Sequence, residues 1–513
     1  MPDLSRRGLL KATTAAGVGA IALPGVVAAE GHPVAEGHPV VGAGATRAEN
    51  ATSSTAHLTG RVVRPSDPGY PVDSRGWDEL FVHYPLVIVF AQETQDVVNA
   101  LAWARQNDVA LRVRSGRHSL EGWSNVDNGL VIDVSELKSV QINAASGIAK
   151  VGAGLSQLEA VTTLAKSNLG VTTGTEGSVG LSGATLGGGF GFLTRYLGMA
   201  CDSLISADVV IPSGSRSAQV ITADLQNNSD LLWALRGAGN GNFGIVTSLT
   251  YKTTPLKKVA YLQATWDGTK YLPGLFDIYQ RTAPLANNRL GTQLEIHKNQ
   301  ILLFGVLAEG TQAGVKQMLA PLLSIGKPDV KVEVGSWGPI YAGFQVPIKV
   351  EPANWKFFSQ FTTTPFPKRA ISLIGSFMRD APTDDSNFFA QAFGGAVRNP
   401  PGRRHGLPAP QRPLLLRARR GLGDSRSTAQ RRRAHLGRSG LDRRVQPGAA
   451  ALCERCIRQC AERRHAELAG SVLGLQLRPA APDQGKVRPG QLLPVRAEHP
   501  ACGLLSGPRR RGG

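Results

Sequence analysis

One histidine lies in a turn of mostly polar residues, directly after a short apolar run. The segment RVRSGRHSLEGWS spans residues 112–124, and the apolar run is Val109–Val113. Gly116 and Gly122 remove side chains that would keep a ligand away from the backbone. A concave turn of bare N–H groups can hold a diphosphate without a lysine. The segment therefore predicts a phosphate-binding turn that carries His118; the alternative, for this residue taken alone, is a histidine in a surface loop.

Two further glycine-rich segments follow, TTGTEGSVGLSGATLGGGFGFLTRYLG at residues 172–198 and RGAGNGNFGIVT at residues 236–247. The second of these contains the spacing G-x-G-x-x-G, but it follows the helical pattern DLLWALR and precedes the strand pattern IVTSLTY. A Rossmann dinucleotide site requires the reverse order, so we reject that interpretation. No Walker lysine follows a glycine loop, which argues against a nucleotide triphosphatase. The hydroxyls of Ser115, Ser119 and Ser182 add possible phosphate donors.

The residues around these segments alternate between strand and helix patterns. Short apolar runs with β-branched residues predict strands, and apolar residues at helical spacing predict a helix that starts after an N-cap at Thr94. These patterns indicate an α+β domain with mixed strands over residues 78–256. From Lys257 the patterns predict a second domain with an antiparallel sheet, over residues 257–398.

Three stretches together resemble one known family. VRSGRHSLEGWS, VGLSGATLGGGFGFLTRYLGMACDSLISADVV and DLLWALRGAGNGNFGIVT are similar to the berberine bridge enzyme-like branch of the vanillyl-alcohol oxidase superfamily, whose members include 6-hydroxynicotine oxidase and sugar oxidases. The resemblance covers residues 78–398 and is most specific in the first domain. It implies an α+β fold with a PCMH-type FAD-binding domain of two subdomains. It also implies a substrate domain whose antiparallel sheet covers the flavin ring.

The resemblance also implies roles for particular residues. The family motif R-S-G-G-H matches Arg114–His118, which implies a covalent bond from His118 to the 8α position of FAD. Arg117 stands where the family usually has glycine, and a positive φ there would be strained. Glu176 stands where many relatives have the cysteine of a second link, so we expect one histidyl link only. The full expected FAD-binding set is His118, Arg114, Ser115, Gly116, Arg117, Ser119, Gly122, Gly174, Thr175, Gly180, Ser182, Gly183, Gly188, Gly189, Gly191 and Val246.

Such a site implies an FAD-dependent oxidoreductase. Hydride would pass from a small alcohol, amine or sugar to the flavin, and O2 would reoxidise the flavin. A base must remove a proton from the O–H or N–H group of the substrate. Gln293, Glu295 and His297 alternate along one strand pattern and would share a face, and Tyr196 lies close to the second glycine-rich segment. The candidate bases are Tyr196, Glu295 and His297, with a structural role as the alternative for each.

The N-terminus has the pattern of a twin-arginine signal peptide over residues 1–29. SRRGLLK precedes an apolar Ala/Gly-rich run, and small residues follow at 27–29. We therefore expect export by the twin-arginine machinery to the periplasm or the outside, and a flexible segment over residues 30–77. No stable membrane anchor is expected, because the apolar run is short. We expect Cys201 to be buried rather than paired, and we expect no metal site.

The last part of the chain, residues 399–513, differs in composition from the rest. It holds no Phe, Trp or Tyr, and its Arg and Lys residues outnumber its acidic residues by 24 to 7, so most of the formal charge of +19 lies there. A shifted reading frame would explain the abrupt change, and we expect this tail not to fold natively. Two alternative functions follow: a flavin-binding relic impaired by the tail, and a nucleic-acid-binding protein that acts through it. We expect no nucleic-acid partner, because the first 398 residues are nearly neutral.

Overall fold

The structure is a computed structural model that describes residues 55, 57–345, 355–362, 364–384, 386–398 and 414–421. The predicted signal peptide, the first part of the segment predicted to be flexible over 30–77 and most of the predicted tail lie outside these residues. The prediction of a flexible segment is wrong for residues 57–77, because a strand at Arg61–Val63 pairs with the strand at Val87–Phe90 and Tyr70 is buried. The first domain therefore begins before residue 78. None of the helices in the described part of the chain combines the length and the apolar character that a membrane span requires.

The first sheet has four strands and ends at the histidine turn. Its elements are β1 (Arg61–Val63), α1 (Tyr70–Asp73), β2 (Val87–Phe90), α2 (Thr94–Asn107), β3 (Leu111–Arg114) and β4 (Leu130–Asp133). The strand order is β1–β2–β4–β3, with β2 and β3 parallel to β4 and β1 antiparallel to β2. Glu93 is the N-cap of α2, and its N–H donates to the Asp96 carboxylate at 3.0 Å. The prediction of Thr94 as N-cap is therefore wrong by one residue.

The second sheet is antiparallel, and the other two glycine-rich segments lie in the connections between its strands. The elements of this part are β5 (Val140–Asn143), β6 (Ile148–Gly152), α3 (Gln157–Ala165), β7 (Leu169–Gly170), α4 (Leu181–Leu186), α5 (Thr194–Leu197), β8 (Leu204–Ser213), β9 (Ser217–Ala223), α6 (Ser229–Ala238), β10 (Ile245–Lys252) and β11 (Thr254–Pro255). The strand order is β5–β6–β10–β8–β9, and β7 pairs separately with β11. The third glycine-rich segment runs from the end of α6 to the start of β10, which confirms the order that excludes a Rossmann site.

The third sheet forms the second domain and is antiparallel throughout, as predicted. The elements are β12 (Val259–Asp267), α7 (Leu272–Thr282), β13 (Leu290–Ile296), β14 (Gln300–Ala308), α8 (Gln312–Leu323), β15 (Asp329–Gly335), α9 (Trp337–Phe344), β16 (Trp355–Thr362), α10 (Lys368–Arg379), β17 (Asn387–Ala392) and β18 (Leu414–Gly421). The strand order is β15–β12–β14–β13–β17–β18–β16. Leu294 and Ile296 pack on one face against helix residues such as Phe276. The opposite face meets the first domain, where Phe192 packs against Tyr261.

Strand β18 corrects the predicted boundary of the second domain. Its first residue, Leu414, is buried and lies opposite both Ala392 and Thr362, so β18 is an interior strand of the sheet. The domain thus continues beyond residue 398. Average composition over the tail hid this strand, because one short apolar run changes the average very little. The rest of the tail lies outside the described residues, and its lack of a native fold stays a prediction.

One buried arginine joins the two domains. Arg195, in α5, is 1% exposed, and its guanidinium donates to the carbonyl oxygens of Leu290 at 3.0 Å, of Pro284 and Phe393 at 2.8 Å, and of Ala286. Burial lowers the pKa of Arg195. Because four carbonyls surround one planar cation, the end of the second glycine-rich segment is fixed against the second domain.

Candidate active site

His118 follows the point where the first two glycine-rich segments meet. A Cβ atom added to Gly116 would lie 2.2 Å from the backbone nitrogen of Gly180, and one added to Gly180 would lie 2.6 Å from the nitrogen of Gly116. Such distances are shorter than any real Cβ contact, so only glycine permits this approach of the two turns. The first two glycine-rich segments therefore meet at Gly116 and Gly180.

Two side chains hold the imidazole of His118. The Ser178 hydroxyl lies 2.8 Å from Nε2, and the Trp77 ring stacks on the imidazole with centroids 4.9 Å apart and planes at 26°. The backbone N–H of Trp77 donates to the carbonyl oxygen of Arg117 at 2.9 Å, which holds the tryptophan beside the same turn. Burial lowers the pKa of His118 to about 4, so the ring is neutral at pH 7.

Three side chains from other elements hold the turn that carries Ser178. The Gln157 amide donates to the carbonyl of Glu176 at 2.8 Å and accepts from the N–H of Gly174. From the second domain, Gln345 accepts from the Gly177 N–H at 2.6 Å, and the Tyr341 hydroxyl donates to the Gly174 carbonyl at 2.9 Å. Sequence reasoning missed all three, because their partners lie elsewhere in the chain and leave no local pattern. It also did not identify Ser178 as a site residue, although Ser178 lies within the second glycine-rich segment.

The two arginines of the first turn differ in burial and role. Arg114 is 4% exposed, and its Nε bonds Asp133 at 2.6 Å, while its buried Nη1 donates to no atom in the described part of the chain. Desolvation lowers the pKa of Arg114, and the charge of Asp133 opposes that shift. Arg117 has a φ of +63°, in the left-handed region that favours glycine, so its backbone is strained as a positive φ at this position implies. Its guanidinium lies 3.5 Å from Asp73 and 3.6 Å from Asp133, and these ion pairs offset part of the strain.

The third glycine-rich segment contacts the second at the end of α4. The N–H of Gly239 donates to the carbonyl of Leu186 at 3.1 Å. A Cβ atom added to Gly187 would lie 2.3 Å from the Asn240 side chain. The three segments therefore form one chain of backbone contacts, with the second in the middle. Beside Gly183, in α4, a Cβ atom would meet nothing within 4 Å, which leaves open space on this surface.

The three predicted hydroxyl donors have partners inside the protein. Ser115 and Ser182 both donate to the carbonyl of Ala153, at 2.9 and 2.7 Å, and Ser119 accepts from the N–H of Trp123 at 3.0 Å. A serine hydroxyl has one proton to donate. In this arrangement the protons of Ser115 and Ser182 are thus used within the protein, and the backbone is left as the main source of donors. The N–H groups of Arg117 and His118 donate to no atom among the described residues.

Several of the other predicted residues serve internal packing. Gly122 faces the Phe81 ring, where a Cβ atom would lie 2.4 Å from the Phe81 Cβ. Gly191 approaches the carbonyl of Thr173, where a Cβ atom would lie 2.0 Å from the oxygen. Gly174 packs against Gln157, and Gly189 packs against Ala200. Gly188 and Gly189 have positive φ values, +108° and +70°, which favour glycine. Thr175 is half-buried, and Val246 lies in the hydrophobic core of the first domain.

The predicted acid–base group on β13 is a connected set of side chains. The Gln293 amide donates to Glu295 at 2.5 Å, and His297 Nε2 lies 2.9 Å from the other carboxylate oxygen of Glu295. This confirms that the three share a face of the strand. Gln391, the cross-strand partner of Gln293, donates to the carbonyl of Gly191 at 2.9 Å, so this face of the sheet meets the second glycine-rich segment.

Tyr196 is not part of that set. It is half-buried and packs against the apolar cluster of Phe192 and Tyr261. Cys201 is fully buried and unpaired, and burial raises its pKa to about 12, which confirms the expectation of an inert core residue. Within the described residues, no three His, Cys, Asp or Glu side chains lie close enough to hold a metal ion.

Comparisons with known proteins agree with this geometry. The family model of an FAD binding domain matches residues 85–217. YgaK of Bacillus subtilis (strain 168), an uncharacterized FAD-linked oxidoreductase, is 38% identical over 343 residues, which cover 66% of this chain and 76% of that protein. The (R)-6-hydroxynicotine oxidase of Paenarthrobacter nicotinovorans is 34% identical over 192 residues, covering 37% of this chain and 41% of that protein. The solved structure of the berberine bridge enzyme-like protein BBE-like 1 of Physcomitrella patens matches with a TM-score of 0.67 at 21% identity, covering 74% of this chain and 85% of that one.

Proposed function

This chain belongs to the FAD-linked oxidoreductases, and from that premise we propose that it is an oxidase with one covalent flavin bond. The bond joins His118 to FAD, the substrate is a small alcohol, amine or sugar, and O2 takes the electrons in the end. One observation carries this proposal: a neutral imidazole is held by Ser178 and Trp77 beside the meeting point of two bare-backbone turns.

The residues around these turns fit a flavin dinucleotide. Arg114 supplies a buried donor atom without a partner in the described chain, and the N–H groups of Arg117 and His118 supply two more. These donors suit an anionic diphosphate, which a concave backbone surface can bind. The open space beside Gly183 leaves room for the ligand at the second segment.

Bound FAD would accept a hydride from a substrate carbon, and the protein must then take up the accompanying proton. We assign that task to Glu295. Its carboxylate lies on the face of the sheet that meets the second glycine-rich segment, and Gln293 and His297 fix both of its oxygens. A base held at both oxygens keeps a constant orientation toward a substrate that enters between the two domains.

We also propose that the protein is exported by the twin-arginine route, which the residues SRRGLLK near the N-terminus support. That route carries folded proteins, so FAD is loaded before export. The N-terminal segment lies outside the described residues. Fractionation of cells producing the full chain, compared with a variant in which Arg6 and Arg7 are both lysine, tests this part. Retention of the variant and export of the wild type are expected.

An oxygen-electrode screen of the purified chain tests the oxidase. We expect a yellow protein that consumes O2 and releases H2O2 with at least one substrate among sugars, amines and alcohols. A yellow protein that is inert with all of them indicates the impaired relic. A colourless protein that retards DNA, with affinity that falls steeply with salt, indicates the nucleic-acid-binding alternative.

A further inference from the structure

We propose that Ser178 and Glu176 form a proton relay that selects Nδ1 of His118 as the nitrogen that bonds FAD and removes the proton from Nε2. This inference rests on the proposed bond between His118 and FAD. It concerns how that bond forms, not how the substrate is oxidised. The relay lies in the second glycine-rich segment, whereas the histidine lies in the first.

The directions of two hydrogen bonds of Ser178 determine which nitrogen of His118 carries the ring proton. The Ser178 hydroxyl lies 2.8 Å from Nε2 of His118, and it donates to Oε1 of Glu176 at 3.4 Å. A serine hydroxyl has one proton, so if it donates to Glu176 it must accept from Nε2. Nε2 then carries the ring proton, and Nδ1 keeps the lone pair that makes it the nucleophile.

The surrounding contacts keep this arrangement in place. Trp77 stacks on the imidazole and fixes the plane of the ring. Gln157 fixes the backbone of Glu176, since its amide donates to that carbonyl at 2.8 Å. The contact of Gly116 with Gly180 fixes the distance between the two turns. The 3.4 Å bond is long, and a shift of the Glu176 side chain by about half an ångström would bring it to ordinary length.

Formation of the covalent bond removes one proton from the imidazole and one hydrogen from the flavin methyl group. A bond forms between Nδ1 and the 8α carbon, and one C–H bond of the 8α methyl group breaks. The Nε2 proton passes to Ser178, whose own proton passes to Glu176, so the substituted imidazole ends neutral. The two electrons of the broken C–H bond pass to the flavin ring and then to O2. The methyl proton and the proton taken up by Glu176 complete the H2O2 that forms, so Ser178 keeps one proton and Glu176 ends ionised as it began.

The rate of covalent flavin incorporation tests the relay. The full chain, prepared without FAD, is mixed with FAD in air, and samples are denatured at intervals and scored for fluorescence that stays with the protein band. We expect Ser178→Ala and Glu176→Gln each to slow incorporation at least tenfold while FAD still binds without the covalent bond. Ser178→Thr keeps the hydroxyl and should recover most of the rate. Ser324→Ala, whose hydroxyl donates to Pro321 in the second domain, is the matched control.

The outcomes separate this inference from the proposed function. If the wild type never retains flavin after denaturation, the proposed covalent bond itself is wrong, and the relay falls with it. If the wild type retains flavin and both Ser178→Ala and Glu176→Gln match its rate, the bond stands and the relay is overturned. Should Ser178→Ala fail to fold, Glu176→Gln decides alone, because its substitution keeps size and removes only the charge.

Discussion

Replacing Gly116 with alanine perturbs the contact on which the site depends. The new Cβ atom would lie 2.2 Å from the nitrogen of Gly180 and 2.9 Å from both the Cα of Gly180 and the carbonyl oxygen of Ser178. All three are backbone atoms, so no side chain can rotate away. The two turns must separate by about 1 Å to restore ordinary contact distances, and overpacking of this kind costs about 1–3 kcal/mol.

The same separation would break the bond between Ser178 and His118. Its present length is 2.8 Å, and adding about 1 Å takes it beyond hydrogen-bonding distance. Loss of this bond adds about 1 kcal/mol, for a total of about 2–4 kcal/mol. At about 2–4 °C for each kcal/mol, Tm should fall by roughly 5–15 °C.

Two readouts on Gly116→Ala check this reasoning: Tm from thermal unfolding, and the fraction of protein that retains flavin after denaturation. Gly274→Ala is the matched control, because it lies in a helix and its new Cβ would meet only Ile325, at 3.8 Å. We expect the control to equal or exceed wild-type Tm, since alanine favours helices. A Gly116→Ala protein with wild-type Tm and wild-type retained flavin would refute the claim that the two turns need this close contact.

The remaining predictions address three other residues. Arg195→Leu leaves four carbonyls without their donor and should destabilise the protein by about 3–5 kcal/mol, because each buried acceptor left unsatisfied costs about 1–3 kcal/mol. The measurement is the denaturation midpoint in urea, and an unchanged midpoint would show that Arg195 does not join the domains. The pKa of His118 is lowered from 6.5 to about 4, so below pH 6.5 the unfolded chain binds a proton more readily than the folded protein does. The free energy of unfolding of the FAD-free protein should therefore fall by about 3 kcal/mol as the pH is lowered from 6.5 to 4. His118→Asn should remove that part of the pH dependence, and an identical pH profile would contradict it. Glu295→Gln should slow flavin reduction by substrate at least 100-fold in stopped-flow absorbance while covalent flavin is retained, whereas a wild-type rate would exclude Glu295 as the base.

Local patterns made a large part of this structure predictable. Glycine spacing located the three turns, because a close backbone approach requires glycine at fixed positions. The alternation of Gln293, Glu295 and His297 predicted their shared face, because strand side chains alternate with period two. The order of helix α6, glycines and strand β10 excluded a Rossmann site without any tertiary information.

Contacts between distant parts of the chain were not predictable. Trp77 and Ser178 reach His118 from either side of it in the sequence, and Gln345 reaches Gly177 from another domain. Neither sequence periodicity nor composition predicts such long-range contacts, because they depend on how the sheets pack against each other. The role of Arg195 was missed for the same reason, because its four partners come from three separate places in the second domain.

Peptide mass spectrometry of the full chain is the most direct test of the central claim. After proteolysis, the peptide that contains His118 should carry the added mass and fluorescence of the flavin, with fragment ions that place it on the imidazole. The His118→Asn protein should release all of its flavin on acid precipitation. An unmodified His118 peptide from yellow wild-type protein, or flavin attached at another residue, would contradict the account.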